Sequence, residues 1–256
     1  MIDILILAVV QGIAEFLPIS SSGHLIILGA LLGELSASPT LEIILHAGTL
    51  GSILVVYWRR ILRLLTKDRR VISRLIVGTL PAVVIGLTIK YQFAYLLRNP
   101  VLAGAMLLVT ASMLLVLGRL KPRQGEYELM SHANAFVIGC FQAFAILPGV
   151  SRSGSTILGG RLMGLKNEDS VTFSFLLAIP AILGATVLEM KDVWSNYSDG
   201  VPMEFSLLQL AVGAGVAFTV GILALGWLIR WSRRDRLHWF AWWCIPVGIA
   251  AIIWFK

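Results

Sequence analysis

Charged residues are scarce in this sequence. Asp, Glu, Lys and Arg make up 14% of its 256 residues, while 57% are apolar. A water-soluble domain carries about 25% charged residues, so the composition argues against a water-soluble protein. Apolar stretches of the length needed to cross hydrocarbon as helix, roughly 17–25 residues, recur along the chain. With no polar linker between them, we expect one all-α membrane domain over 1–256.

Cysteine is almost absent as well. Cys140 and Cys244 both lie in apolar stretches, where a cysteine usually serves as a small packing residue, and they say little about the redox compartment. No Lys or Arg precedes Arg59, so the basic segment that opens a secretory signal is missing. We therefore expect the first apolar stretch to belong to the folded protein.

Eight apolar stretches divide into two kinds. Six predict full membrane spans, at about 41–58, 75–90, 100–118, 171–189, 206–229 and 238–255. The other two, 1–32 and 132–163, are broken by Pro, Gly and Ser. Since each crossing needs about 20 residues, neither can cross twice. Re-entrant hairpins are the better interpretation.

Basic residues predict the orientation of the spans. Sixteen of the 21 Lys and Arg residues fall in four connections, which the positive-inside rule assigns to the cytoplasm. These are Arg59, Arg60, Arg63, Lys67, Arg69, Arg70 and Arg74 in one loop; Arg119, Lys121 and Arg123; Arg161 and Lys166; and Arg230, Arg233, Arg234 and Arg236. The connections at 33–40, 91–99 and 190–205 are then outside, and the last is acidic. The net charge of +7 reflects topology, so no nucleic-acid partner is expected.

The two hairpins resemble each other in sequence. Residues 11–26 read QGIAEFLPISSSGHLI and residues 142–157 read QAFAILPGVSRSGSTI, with Gln, Ser, Ser and Gly matching at a constant offset. Three spans follow each hairpin, in opposite orientation. This pattern predicts an inverted-topology repeat, with 1–118 as the first half and 132–256 as the second. In such repeats, broken helices build a site near the midplane.

The hairpins also carry the residues suited to chemistry. Irregular backbone at membrane depth must be buried in protein or reached by water, and a helix that restarts there offers N–H groups to an anion. Arg152 is costly in a bilayer unless paired or functional, and its planar fork suits phosphate. Glu15 could activate a nucleophile, ligate a cation, or simply pair with Arg152. Ser21 and His24 lie one helical turn apart, and His46 is a further polar group in the first full span.

These motifs identify the chain as similar to the undecaprenyl-pyrophosphate phosphatases associated with bacitracin resistance. The resemblance rests on QGIAEFLPISSSGHL and LPGVSRSGST, and extends to LEIILHAGTL at 41–50 and FSFLLAIPAILGA at 173–185. It implies removal of the terminal phosphate from a C55 polyprenyl pyrophosphate at a site that opens toward the outer face of the bacterial inner membrane. It also implies a divalent cation, such as Mg²⁺, with Glu15 as a ligand. The family's acidic motif begins with Glu or Gln. Because this chain has Gln11 at that position, one carboxylate is missing and a two-carboxylate metal site is less favoured.

Ten residues are expected to form the site, nine of them by the resemblance and Ser22 as a further hydroxyl of the first hairpin. Glu15, Ser21, His24 and Arg152 are the expected catalytic residues, and Gln11, Ser20, Ser22, Ser151, Ser153 and Thr156 the expected substrate-binding residues. Either Ser21 or His24 could be the nucleophile.

Two other functions are compatible with the membrane fold. Inverted repeats with broken helices also build transporters, so the chain could instead move or flip a polyprenyl phosphate or another anion. A scaffold without a site would leave Arg152 and Glu15 unexplained. The expected partners are the lipid substrate and the surrounding lipids. The sequence does not decide whether the chain forms a homodimer.

Overall fold

The computed structural model describes residues 1–32, 39–198 and 205–256. The fold is all-α within these ranges, as predicted. Eleven α-helices follow one another: α1 (Ile2–Ala14), α2 (Ser21–Leu32), α3 (Pro39–Val56), α4 (Trp58–Thr66), α5 (Arg69–Gln92), α6 (Pro100–Arg119), α7 (His132–Phe144), α8 (Arg152–Leu162), α9 (Asn167–Ser198), α10 (Leu207–Ser232) and α11 (Ala241–Phe255). Short 3₁₀ turns cover Ala94–Arg98, Tyr127–Leu129 and Leu237–Phe240.

Six helical segments in the described ranges are long and apolar enough to cross a membrane. They are Pro39–Val56, Arg69–Gln92, Pro100–Arg119, Asn167–Lys191, Leu207–Ser232 and Leu237–Phe255. Each overlaps one predicted span, so the predicted polytopic all-α fold is confirmed. The lengths follow from uninterrupted runs of apolar residues, because a backbone in hydrocarbon must satisfy its own hydrogen bonds within the helix.

The outer surface of the bundle suits lipid rather than water. On α5, Ile76 is 58% exposed and Val84 is 61% exposed, and Leu80 and Val83 beside them are exposed as well. A contiguous apolar face of this kind marks a surface that contacts another apolar phase. The main core lies between the helices and includes Phe16, Leu107, Ile138 and Phe175.

Four shorter helices lie in the two stretches that were predicted to be hairpins. α1, α2, α7 and α8 have 13, 12, 13 and 11 residues, hence lengths of about 16–20 Å. A hydrocarbon core is roughly 30 Å thick, so none of the four crosses it alone. α1 contacts α2, and α7 contacts α8. The re-entrant placement of the hairpins stays a prediction.

Helix packing relates the two halves of the chain. α1 packs against α10 of the second half, and α7 packs against α5 of the first. α6 and α11 cross at Gly104 and Gly248, where a Cβ on either glycine would lie within 3 Å of the other's carbonyl oxygen. Such small residues let membrane helices approach closely. The hairpin stretch of each half thus contacts a long helix of the other half. The inverted repeat and its boundaries stay a prediction.

One stretch was wrongly interpreted as a loop. The basic segment 59–74 is mostly helical, because Arg59, Arg60 and Arg63 lie in α4 and α5 already begins at Arg69. In α4, apolar and basic residues alternate at helical spacing, which is typical of a helix lying at a membrane surface. Residues 33–38 and 199–204, in two connections predicted to lie outside, are not among the described residues.

Candidate active site

The first helix of the first hairpin, α1, ends just before a residue with a carboxylate side chain. Glu15 is the C-terminal cap of α1, and its backbone N–H donates to the carbonyl of Gln11. One turn earlier on the same face, the Gln11 side-chain amide donates to Glu15 Oε2 at 3.2 Å and to Thr49 Oγ1 of α3 at 3.5 Å. Gln11, Glu15 and Thr49 are all buried. The carboxylate is therefore held in place by α1 and α3 together.

The second helix of the second hairpin, α8, begins at an arginine. Ser151 is the N-cap of α8, and its hydroxyl accepts a hydrogen bond from Gly154 N–H at 3.1 Å. Ser is a favoured N-cap because its short side chain satisfies a free N–H of the first turn. Thr110 of α6 fixes the turn from outside, donating to Gly149 O at 2.8 Å and accepting from Ser151 N–H at 2.9 Å. Arg152 follows as the first helical residue.

Glu15 is the point where the two hairpins and α3 meet. Arg152 Nη2 donates to Glu15 Oε1 at 2.6 Å, and Ser21 Oγ donates to Glu15 Oε2 at 2.7 Å. His46 Nε2 lies 3.7 Å from the same Oε2. The Glu15 side chain is 6% exposed and that of Arg152 is 16% exposed. The predicted meeting of Arg152 with Glu15 is thus observed, with a hydroxyl directly on the carboxylate.

The hairpin tips contact each other reciprocally. A Cβ on Gly23 would lie 2.8 Å from the Cα of Gly149, and one on Gly154 would lie 3.4 Å from Pro18. Ser153 Oγ donates across the same junction to the carbonyl of Leu17 at 3.3 Å. The two turns that carry the polar residues are therefore packed tip to tip.

Most of the other predicted hydroxyls contact backbone or one another. Ser20 adopts a positive φ of 71°, and its Oγ accepts from Gly23 N–H at 3.3 Å and lies 3.4 Å from Ser22 Oγ. Thr156 Oγ1 donates to Arg152 O at 2.8 Å and lies 2.5 Å from Ser174 Oγ. These contacts shape the turns. Roles in substrate binding for Ser20, Ser22, Ser151, Ser153 and Thr156 stay predictions.

His24 has a partner on each ring nitrogen. Nδ1 lies 2.8 Å from the carbonyl of Ser20, and Nε2 lies 2.9 Å from the indole Nε1 of Trp243 in α11. An indole N–H can only donate, so Nε2 is the acceptor and the proton is on Nδ1. For His24 to act as base or nucleophile, as predicted, Trp243 must first leave Nε2.

Four residues at the site were missed by the sequence reasoning. Thr49, Thr110, Ser174 and Trp243 each contact a predicted site residue, but they lie in full spans and not in the hairpins. Only Thr49 carries a local signal, because it follows His46 by one helical turn. The other three are remote in sequence from the residues they contact.

The side chains present do not by themselves form a magnesium site. In the described part of the chain, no three His, Cys, Asp or Glu residues cluster as metal ligands. Glu15 supplies one carboxylate, whose two oxygens already contact Arg152, Ser21 and Gln11. Mg²⁺ prefers several oxygen ligands, so the expected role of Glu15 as a metal ligand has no support from its neighbours.

Comparison with known proteins gives consistent matches over the whole chain. Residues 4–250 match the family described as Bacitracin resistance protein BacA. The chain is 70% identical over 253 residues to a protein of Rhodopirellula baltica named undecaprenyl-diphosphatase, covering 99% of this chain and 97% of that protein. Proteins of the same name from Halothermothrix orenii and Corynebacterium glutamicum are 36% and 34% identical, each over 98% of this chain and over 96% and 89% of their own lengths.

Proposed function

This chain belongs to the Bacitracin resistance protein BacA family, and from that premise we propose that it is an undecaprenyl-diphosphatase. It is a bacterial multi-pass membrane hydrolase that converts undecaprenyl pyrophosphate to undecaprenyl phosphate and inorganic phosphate, which recycles the lipid carrier of cell-wall synthesis. One observation in the fold carries the proposal. Glu15 holds a hydroxyl at 2.7 Å on one oxygen and a guanidinium at 2.6 Å on the other, and this contact supports the proposed roles of nucleophile, base and phosphate ligand.

Arg152 is the proposed pyrophosphate ligand. A guanidinium has five N–H donors in a planar fork, of which Glu15 takes one at short distance and Ser174 O a second at 3.5 Å. The remaining donors can bind phosphate oxygens. The first turn of α8 begins at Arg152, and a helix N-terminus favours negative charge. These donors stabilise charge on the equatorial oxygens, which is the protein's main contribution to phosphoryl transfer.

Ser21 is the proposed nucleophile. Its Oγ forms a bond to the terminal phosphorus while the bond from that phosphorus to the bridging oxygen breaks, and undecaprenyl phosphate leaves with the electron pair. The Ser21 proton passes to Glu15, which already accepts it as a hydrogen bond. Glu15 gives this proton to the departing phosphate oxygen and becomes a carboxylate again. Water then forms a bond to the phosphorus of the phosphoserine while the bond from phosphorus to Ser21 Oγ breaks. Glu15 takes the water's proton and returns it to Ser21 Oγ, and inorganic phosphate leaves.

The contacts of Glu15 with Ser21 and Arg152 favour an enzyme over a transporter. Moving an anion needs no nucleophile, whereas Ser21 is aligned on a carboxylate beside the proposed phosphate ligand. The polyprenyl tail of the substrate is proposed to lie between helices, in contact with membrane lipid. We infer that the membrane is the bacterial inner membrane and that the site opens toward its outer face, as the family resemblance implies. The distribution of Lys and Arg supports the proposed orientation of the spans.

Phosphate release by the purified protein tests the proposal. With C15 or C55 pyrophosphate in detergent, where transport is not scored, we expect turnover by the wild type. Arg152→Gln and Glu15→Gln should each lower the rate by about 10²–10³-fold, the usual effect of losing one transition-state donor or its partner. Near-normal turnover by either variant would refute these assignments.

Controls separate lost chemistry from lost folding. Removing one partner of a buried ion pair strands the other charge and can destabilise a protein by about 3–5 kcal/mol. The double variant Glu15→Gln/Arg152→Gln strands neither charge, so it should be inactive yet close to wild type in thermal stability. Arg60→Gln, which removes a half-exposed arginine paired with Glu128 at 3.3 Å, should retain activity.

The proposed divalent cation is tested by chelation. Because Glu15 alone is a poor site for a hard cation, a cation that takes part has to bind together with the pyrophosphate oxygens. EDTA should then abolish turnover without changing the thermal stability of the substrate-free protein. A loss of stability on EDTA treatment would point instead to a cation held by the protein itself.

A further inference from the structure

A polar cavity lies at the opposite end of α8 from the candidate active site. Its volume is about 430 Å³. It is lined by Arg119, Leu120, Lys121, Pro122, Arg123, Arg161 and Leu162. Arg152 and Arg161 are nine residues apart on α8, which corresponds to about 13 Å along the helix axis. The cavity is therefore separate from the Glu15–Arg152 pair.

Arg161 forms the buried wall of this cavity. Its side chain is 2% exposed, and Nη2 donates to the carbonyls of Leu120 and Lys121 at 3.4 and 3.1 Å. Nη1 lies 3.8 Å from Asp235, which is half exposed. Nε has no hydrogen-bond partner in the described part of the chain. The Arg161 charge is therefore only partly compensated beneath the cavity, because one of its buried donors has no acceptor.

Three further basic side chains line the cavity without a carboxylate partner in the described part of the chain. Arg119, Lys121 and Arg123 are exposed, and none has a carboxylate at ion-pair distance among the described residues. On the same predicted face Arg60, Lys166 and Arg233 are paired with carboxylates, each at 3.3 Å, whereas others such as Lys67 and Arg70 have no such partner in the described part of the chain. What distinguishes Arg119, Lys121 and Arg123 is that they line one concavity together with Arg161. The positive-inside rule accounts for basic residues on this face, but not for four of them around one concavity.

The loop over the cavity is fixed at both ends. The carbonyls of Leu120 and Lys121 are held by Arg161. Beyond Arg123, Gly125 N–H donates to Gly164 O at 3.1 Å, and Lys166 N–H donates to Gly125 O at 2.9 Å. A site whose shape exists before binding loses less entropy on binding. A concave surface with one sign of charge also concentrates counter-ions.

We propose that this cavity binds a phosphate-type oxyanion at the predicted cytoplasmic face. The exposed Arg119, Lys121 and Arg123 side chains supply the donors, with the buried charge of Arg161 behind them, and guanidinium groups match the geometry of phosphate oxygens. The oxyanion is either free phosphate or the phosphate of a lipid headgroup, since the same donors fit both. The site takes no part in hydrolysis.

Matched double variants test the site. Lys121→Gln/Arg123→Gln removes two exposed cations from the cavity rim, while Lys67→Gln/Arg70→Gln removes the same two residue types from exposed positions elsewhere on that face. Both pairs are placed in an Arg152→Gln background, so that phosphate at the active site does not contribute. Equilibrium dialysis with radiolabelled inorganic phosphate in neutral detergent measures the free ion. Native mass spectrometry of protein from nanodiscs of phosphatidylcholine with phosphatidic acid measures retained headgroup lipid.

The cavity variant should bind one of the two probes at least about tenfold more weakly than the matched control, because hydrogen bonds to charged groups are lost. A difference with inorganic phosphate identifies the free ion, and a difference with phosphatidic acid identifies a lipid headgroup. Equal binding of both probes by the two double variants overturns the proposal. If Arg152→Gln does not fold, the same comparison with Arg152 present should show one fewer bound phosphate in the cavity variant.

Discussion

Ser21 and Arg152 contact different oxygens of Glu15, at 2.7 and 2.6 Å. The carboxylate can therefore accept the Ser21 proton while its other oxygen orients the guanidinium. His24, in contrast, is engaged at both ring nitrogens, by Ser20 O and by the indole of Trp243. At the residue scale, the geometry favours Ser21 over His24 as the nucleophile, whereas the sequence offered no reason to prefer either.

Ser21→Ala should lower phosphate release at least about a thousandfold, since nothing else replaces the attacking oxygen. His24→Gln should cost less, because His24 Nε2 is already occupied by Trp243. The measurement is single-turnover hydrolysis with C15 pyrophosphate, quenched in parallel in acid and in alkali and followed by peptide mass spectrometry.

We expect an acid-stable phosphoryl group on Ser21 in the wild type, and none in Ser21→Ala. Trp243→Phe is the matched control for the histidine, because it removes the indole N–H donor, keeps an aromatic ring and should leave the site of phosphorylation unchanged. An alkali-stable phosphohistidine at His24, absent from His24→Gln, would assign the attack to His24 instead.

At the scale of single elements, the junction of the hairpin tips depends on glycine. Gly149 has a φ of +93°, and a Cβ there would lie 2.1 Å from the carbonyl oxygen of Ala103. A side chain would thus meet both backbone strain and a clash with α6. Because Thr110 donates to the carbonyl of Gly149 and accepts from Ser151 N–H, a shift here displaces the start of α8 and with it Arg152.

Gly149→Ala should therefore destabilise the protein by more than about 1 kcal/mol, because alanine stabilises only positions whose backbone conformation it can adopt, and it should reduce turnover as well. Gly184→Ala is the matched control, because a Cβ at that helical position in α9 would meet nothing within 4 Å. Thermal unfolding in detergent compares the two. Equal stability of both variants would show that the tips are not packed as described.

On the scale of the whole molecule, the distribution of charge predicts the topology. Arg70 lies in the connection assigned to the cytoplasm and Gln92 in the one assigned to the outside, and both are exposed. In a Cys140→Ala background, which removes the exposed native thiol, Gln92→Cys should react with a membrane-impermeant maleimide in intact cells. Arg70→Cys should react only after the cells are opened. The reverse pattern would invert the orientation, and with it the proposed faces of the active site and of the basic cavity.

The sequence by itself determined the six spans and the polar hairpins. Uninterrupted apolar runs such as 100–118 specify a membrane helix through local backbone hydrogen bonding, and Pro, Gly and Ser mark where helices break. It also singled out Arg152 and Glu15, because a charge is expensive at membrane depth unless it is paired or functional. The basic helix α4 was missed, since the sequence was judged by charge there and not by helical spacing.

The tertiary structure alone decided which residues meet. Glu15 and Arg152 are 137 residues apart, and His24 and Trp243 are 219 apart. No local pattern encodes such contacts, because they depend on how closely helices from the two halves approach at glycines such as Gly23 and Gly149. The same packing left Arg161 Nε without a partner beneath Lys121 and Arg123, so the basic cavity follows from the arrangement of α6 and α8 and not from either sequence segment.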